Sequence, residues 1–251
     1  MDEYTRPHDE ALTDEELSDE TPLDEELLPD DTPPPRPNFF KRLWMVFIQP
    51  GELFRALGAN PAWFPMALFV AVGAGAAIGS LPDGFWEAQM EASGEEVVDG
   101  AATIASIAAG VGSTVVFLVI PLVLSALTYV IFVFMRGDNA TFKQHLSVIS
   151  HAGIVSLAGL AVALPLWIRS GSFEEVLSIG TFFPFLPDGF LYYFLNQFQL
   201  FGLWAIVVAG IGLAALDERR SAGPTIAVLM VIQVIWALVV AGCAAAFSPT
   251  F

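Results

Sequence analysis

The chain has 251 residues, 55% of them hydrophobic and 15% charged, with a mean hydropathy of +0.63 and a formal net charge of −17. Several apolar stretches of about 20 residues or more exclude an ordinary water-soluble domain and point to an all-α, polytopic membrane protein. The charge excludes less than it suggests: residues 1–31 hold 14 acidic residues and one Arg, so the acidity belongs to a tail and the rest is nearly balanced.

Residues 1–37 form the first unit. The tail carries an imperfect ten-residue repeat, Asp14-Glu15-Glu16-Leu17 returning as Asp24-Glu25-Glu26-Leu27, and ends in Pro33-Pro34-Pro35. Self-repulsion and scarce aromatics predict a disordered, solvating segment. Its leucines, Leu17, Leu23, Leu27 and Leu28, give a second reading as a motif that folds on a partner. The tail begins acidic where a secretory signal needs a basic start and an apolar core, so the first span is expected to direct insertion.

Residues 38–60 read as a juxtamembrane elbow. Phe39, Phe40, Lys41, Arg42 and Trp44 combine bulky apolar groups with adjacent cations in a run too short to span, as an interfacial element does. Pro50-Gly51 breaks it, and a short turn through Leu57 leads to Pro61.

Residues 61–251 hold five predicted spans, at about 62–81, 102–135, 145–168, 190–216 and 222–247. Basic residues alternate between the connections. Arg6, Arg36, Lys41, Arg42 and Arg55 precede the first span, Arg136 and Lys143 follow the second, and Arg219 and Arg220 follow the fourth. Only Arg169 lies on the other side, where it can snorkel. A Lys and Arg bias toward the cytoplasm therefore predicts a cytoplasmic N-terminus and a C-terminus outside. The second stretch is read as one long tilted helix kinked at Pro121, because two spans there would invert the downstream charge pattern. The outer connections, 82–100 and 170–189, are read as loops, the first acidic and the second opening an aromatic belt that runs through Phe194.

No Asp, Glu, Lys or Arg lies near the middle of any predicted span, which argues against an ion-coupled transporter. His145 and His151 stand six apart, off a common helix face, and no Cys or acidic residue joins them at ligand spacing, so no metal site is expected. No phosphate-binding glycine loop, nucleophile elbow or zinc-protease helix is present, and the chain is read as non-enzymatic, without cofactor and without nucleic acid as a partner. Asn196, Gln197, Gln199 and Gln233 are the candidate polar groove between the last two spans. Gly75 and Gly79 form a GxxxG that brings helices close, within one chain or in a homo-oligomer. Cys243, in a run of small residues, is read as a packing residue. Asn139-Ala140-Thr141 matches a glycosylation sequon but falls in a loop assigned to the cytoplasm.

Several motifs in order resemble the Yip (Ypt-interacting protein) domain family, specifically its bacterial branch, over about residues 40–246. They are Trp44 through Pro50-Gly51-Glu52-Leu53-Phe54 to Pro61 and Trp63, then Gly137 to Gln144, Phe198 to Trp204, and Asp217-Glu218-Arg219-Arg220-Ser221. The resemblance implies a five-helix membrane domain with a cytoplasmic N-terminus, here in a bacterial cytoplasmic membrane. Eukaryotic members bind prenylated Rab-type GTPases. The tyrosine-containing loop motif of those proteins has no counterpart here, since Tyr4, Tyr129, Tyr192 and Tyr193 all lie outside the cytoplasmic loops.

The resulting expectation is an integral membrane protein that organises protein partners or lipids through its cytoplasmic face, with the bilayer, the acidic tail and the cytoplasmic loops as its contacts. The alternative is a passive conduit or lipid-moving protein that uses the polar groove.

Overall fold

The computed structural model describes residues 35–173 and 176–247. The expectations for the acidic tail, including its leucine anchors, fall on residues outside that set, apart from its last three. The described residues belong to one unit, Pro34–Phe251, and are helical apart from loops and one isolated antiparallel bridge, Ser178 with Gln199.

The elbow is two helices rather than a helix and a turn. Asn38 caps α1 (Phe39–Ile48) by accepting from the Lys41 amide at 2.8 Å. Gln49 ends it, and α2 (Pro50–Ala59) starts on Pro50, whose missing N–H costs nothing at a first helical position. Leu53, Phe54 and Leu57 of α2 are fully buried, which anchors the elbow in the core.

The first apolar helix, α3 (Phe64–Gly79), packs along α5 (Ala101–Tyr129), which continues without interruption into a π-helical turn, Val130–Met135. The 34-residue stretch is therefore one helix with Pro121 inside it. The GxxxG acts within the chain. A Cβ on Gly75 would meet the Gly110 carbonyl oxygen at 2.6 Å, and one on Gly110 would meet the Gly79 Cα at 3.1 Å, so three glycines let two backbones touch.

The first outer connection is not a plain loop. Its first half folds as α4 (Asp83–Ala92), bent 76° from α3, and buries Phe85 and Trp86 beside α5. Phe173 completes an aromatic cluster there, with ring centroids 4.7 Å from Phe85 and 5.3 Å from Trp167.

Helix α6 (Phe142–Ser170) is central, packing against α3, α5 and α8. The fourth predicted span is interrupted: α7 (Phe190–Asn196) ends before α8 (Leu200–Ala214) begins. Between them the chain is extended at Gln199 and pairs with the preceding loop, the Ile179 amide donating to the Phe198 carbonyl and the Leu200 amide to that of Leu177, both at 3.0 Å. Backbone leaves helical form this way only where the protein itself satisfies it. The last helix, α9 (Ala222–Phe247), packs on α7 and α8 and leaves Val231, Ile235 and Trp236 exposed. Cys243, expected in packing, is exposed.

Among the described residues three helices, Ala101–Met135, Phe142–Ser170 and Ala222–Phe247, are long and apolar enough to cross a membrane, and the α3–α4 pair meets that test only as a bent unit. Helix α8 is a shorter apolar helix whose 15 residues reach about 22 Å.

Candidate functional site

Two features stand out, a polar clamp at the elbow end of the bundle and a cavity between its helices. The clamp is built from Arg42. Helix periodicity places Phe40, Trp44 and Ile48 in one exposed row on α1, with Lys41 beside it, while Arg42, Met45 and Val46 turn inward. Phe39 is half-buried, its ring 5.6 Å from those of Phe40 and Phe69. The five proposed interfacial residues thus divide: Phe40, Lys41 and Trp44 are exposed, Phe39 is intermediate, and Arg42 is 5% exposed and sits in the bundle. The sequence reading grouped the two adjacent cations, but adjacent helical residues diverge by a quarter turn or more.

Inside, an Nη1 of Arg42 donates to the Ala62 carbonyl at 3.2 Å and to His151 Nε2 at 3.3 Å. Arginine cannot accept, so His151 Nε2 is the acceptor and its Nδ1–H donates to the Ser147 carbonyl at 2.7 Å. Ser147 Oγ in turn accepts from the Ala62 amide at 3.4 Å. Arg42 and Ser147 therefore hold both sides of the peptide turn that joins α2 to α3. Burial, together with Arg36, holds the Arg42 guanidinium below its usual pKa. A second tie starts at the head of α6, where Thr141 and Gln144 form a reciprocal capping box. Gln144 Nε2 also donates to the Gly58 carbonyl of α2 at 2.8 Å. The sequon match therefore coincides with a helix cap.

Beside this end lies an ion pair. Arg220, before α9, is paired with Asp138, after α5, and both side chains are buried. The guanidinium also covers the ring of Phe132 at 4.2 Å, and Phe132 is fully buried by the π-helical turn that carries it. Burial raises the Asp138 carboxyl above the usual carboxylate range even with Arg220 pulling the other way. Asp217 is held low mainly by its hydrogen bonds with exposed Arg219. Thr128 Oγ1 donates to the Ser125 carbonyl and so accepts from His145 Nδ1, 3.1 Å away. His145 and His151 thus have different partners, and neither lines either of the two cavities described below. Among the described residues no group of three His, Cys, Asp or Glu converges for a metal ion.

The cavity is about 340 Å³ and lies among α5, α6, α8 and α9. Its walls are mostly apolar, including Ile120, Leu124, Ile149, Leu229 and Ile232, with Ser150, Ser156, Gln197, Gln199 and Gln233 as polar points. Phe117, Ser156, Gln199 and Gly202 also line a second cavity of about 370 Å³ that reaches Trp167 and Phe173. Three of the four groove residues predicted from sequence meet here, and Gln233 Nε2 donates to the Gln197 carbonyl at 2.9 Å. Asn196 does not join them. It is buried and accepts from Ser178 Oγ at 2.7 Å, fastening the preceding loop.

Sequence reasoning missed Phe132, Asp138, Ser147 and Gly110. Asp138 and Arg220 had a signal, since the charge pattern already set their loops on one side. The π-helical turn that buries Phe132 had none.

Comparison with family models matches residues 44–244 to the Yip1 domain. Neither the curated proteins nor the solved structures return a match.

Proposed function

The chain belongs to the Yip1 domain family, and from that premise we propose that it is a non-enzymatic integral membrane protein that organises protein partners or lipids through one cytoplasmic face. The reading includes five crossings, by α3, α5, α6, α8 with α7, and α9, with the N-terminus in the cytoplasm and the C-terminus outside. The Lys and Arg distribution supports that sidedness. The bacterial branch of the family, and hence a bacterial cytoplasmic membrane, completes the assignment.

One observation carries the proposal. Inward-turned Arg42 locks α1 to the bundle, so the exposed row Phe40, Trp44 and Ile48, flanked by Lys41, forms a fixed platform. Apolar side chains beside a cation suit the headgroup boundary, where the rings enter the lipid and the amine meets phosphate. In sequence the acidic tail ends one residue before α1. The test is copurification from native membranes in mild detergent. It compares the intact chain, a chain lacking residues 1–37, and a Phe40→Ser, Trp44→Ser, Ile48→Ser variant. Both altered chains should unfold at the temperature of the intact one while losing specific partners or bound anionic lipid. An unchanged set of partners and lipids in both would defeat the proposal.

The cavity favours a second reading, a passive conduit or lipid-moving protein, because Gln197, Gln199 and Gln233 line one space. Flux and lipid-scrambling assays in liposomes decide it, and activity no greater than empty vesicles rejects it.

A further inference from the structure

We propose that the cavity among α5, α6, α8 and α9 holds one acyl chain of an uncharged glycerolipid such as a diacylglycerol, with the chain's ester group at the level of Gln197, Gln199 and Gln233. The inference shares its cavity with the second reading above but requires occupancy only, not movement.

The opening faces lipid. Helix α5 packs on α3 and α6, and α8 packs on α6 and α9, with no substantial packing of α5 on α8 or α9. A gap is left beside α6, and Ile120, Leu124 and Leu127 of α5 line the cavity while remaining exposed. In a bilayer the fluid that meets such a gap is lipid tails. The two cavities share Phe117, Ser156, Gln199 and Gly202, and together they run along α6 from Ile149 to Trp167. Those 18 residues of helical rise are about 27 Å, and Gln199, which lines both cavities beside Ser156, lies between two apolar arms.

The polar points lie inside the hydrocarbon. With α8 reaching only about 22 Å, its N-terminal end at Gln199 and Leu200 falls short of the ~30 Å apolar core. Carboxamides at that depth are costly unless satisfied. Gln233 uses one N–H on the Gln197 carbonyl, yet a carboxamide has two donors and an acceptor oxygen. Ser150 Oγ, on a residue 1% exposed, lines the cavity with no partner. Helix α8 also opens here without a capping side chain. The amides of Leu200 and Leu203 go to the Leu177 and Gln199 carbonyls, while Phe201 and Gly202 line the cavity walls. Uncapped helix amides and the second N–H of Gln233 suit a neutral oxygen acceptor.

Charge selects the ligand class. Neither set of lining residues contains Asp, Glu, Lys or Arg, so a phosphate or ammonium group would enter uncompensated. Water alone fits poorly against the apolar walls, since apolar cavities stay dry and take apolar guests. An ester carbonyl on an acyl chain supplies the one polar atom and the long apolar remainder that the cavity matches.

The test uses the full chain in phosphatidylcholine vesicles with a trace of diacylglycerol bearing a diazirine at one acyl terminus. Photolysis should label α6 and α8 within residues 149–156 and 202–209 in preference to the exposed faces of α5 and α9. Gly202→Trp projects into the cavity, where a Cβ meets only Gln199 Cβ at 3.8 Å, and should lower that labelling about tenfold. Ala205→Phe fills the same space as a second variant, and Val231→Trp on the lipid face should change nothing. A diether lipid should compete about fivefold less well than the diester, a preference that Gln233→Leu removes. Even labelling over all exposed faces, or cavity labelling that survives both filling variants, would overturn the proposal. Equal competition by the diether would overturn the ester assignment. Labelling without any liposome flux rejects the conduit and leaves the occupied cavity standing.

Discussion

Arg42 illustrates why residue identity and residue direction are separate questions. Two cations side by side suggested a shared lipid-facing role, but the helix turned Lys41 outward and Arg42 onto His151 and Ala62. Arg42→Met keeps the stem and removes the donors, leaving a carbonyl and an imidazole nitrogen unsatisfied. We expect a loss of about 2–4 kcal/mol in reversible unfolding in detergent. Lys41→Met, on the exposed side, should stay within about 0.5 kcal/mol. The Asp138–Arg220 pair behaves similarly. Asp138→Asn strands a buried guanidinium against Phe132 and should cost about 3 kcal/mol, and Arg220→Gln added to it should restore part of that loss. Gly75 is a third case, visible in sequence as half of a GxxxG but without its partner. Gly75→Val drives a branched side chain into Gly110 and Thr114 and should separate α3 from α5, lowering stability by about 3 kcal/mol in the same assay.

The helices were legible where apolar runs are long and bounded by turn residues, as in α5, α6 and α9. Three corrections came from forces that leave little local trace. The break at Gln197 to Gln199 depends on Leu177 and Ile179, some 20 residues earlier, and on Gln233 of another helix, so periodicity through 190–216 could not reveal it. Helix α4 owes its place to Phe85 and Trp86, and its exposed carboxylates made the segment look like a loop. The π-helical turn after Tyr129 changes which face Phe132 occupies without changing composition. The capping box at Thr141 and Gln144 was present in sequence but passed over as a sequon match. Thr141→Ala should cost about 1 kcal/mol, and Gln144→Ala more, since it also releases the Gly58 carbonyl of α2. Thermal unfolding of the two variants side by side checks the order.

At the scale of the whole molecule, the elbow, the Asp138 loop and the Arg220 turn are tied together by hydrogen bonds and an ion pair at one end of the bundle. This clustering matches the grouping that the basic residues suggested and gives the proposed face a physical unit. Gln197, Gln199 and Gln233 meet at one cavity, whereas Asn196, next in sequence to Gln197, serves the loop instead. The family match covers residues 44–244, which includes the second half of α1 and the helices after it to within three residues of the end of α9, and excludes the acidic tail. The most direct test of the proposed cytoplasmic face is sided labelling of single cysteines in a Cys243→Ser background with an impermeant maleimide. Cysteines placed at Lys41, Asn139 and Glu218 should react only from the cytoplasmic side, and cysteines at Glu95 and Asp188 only from outside. Reaction of the first three positions from different sides would contradict the account.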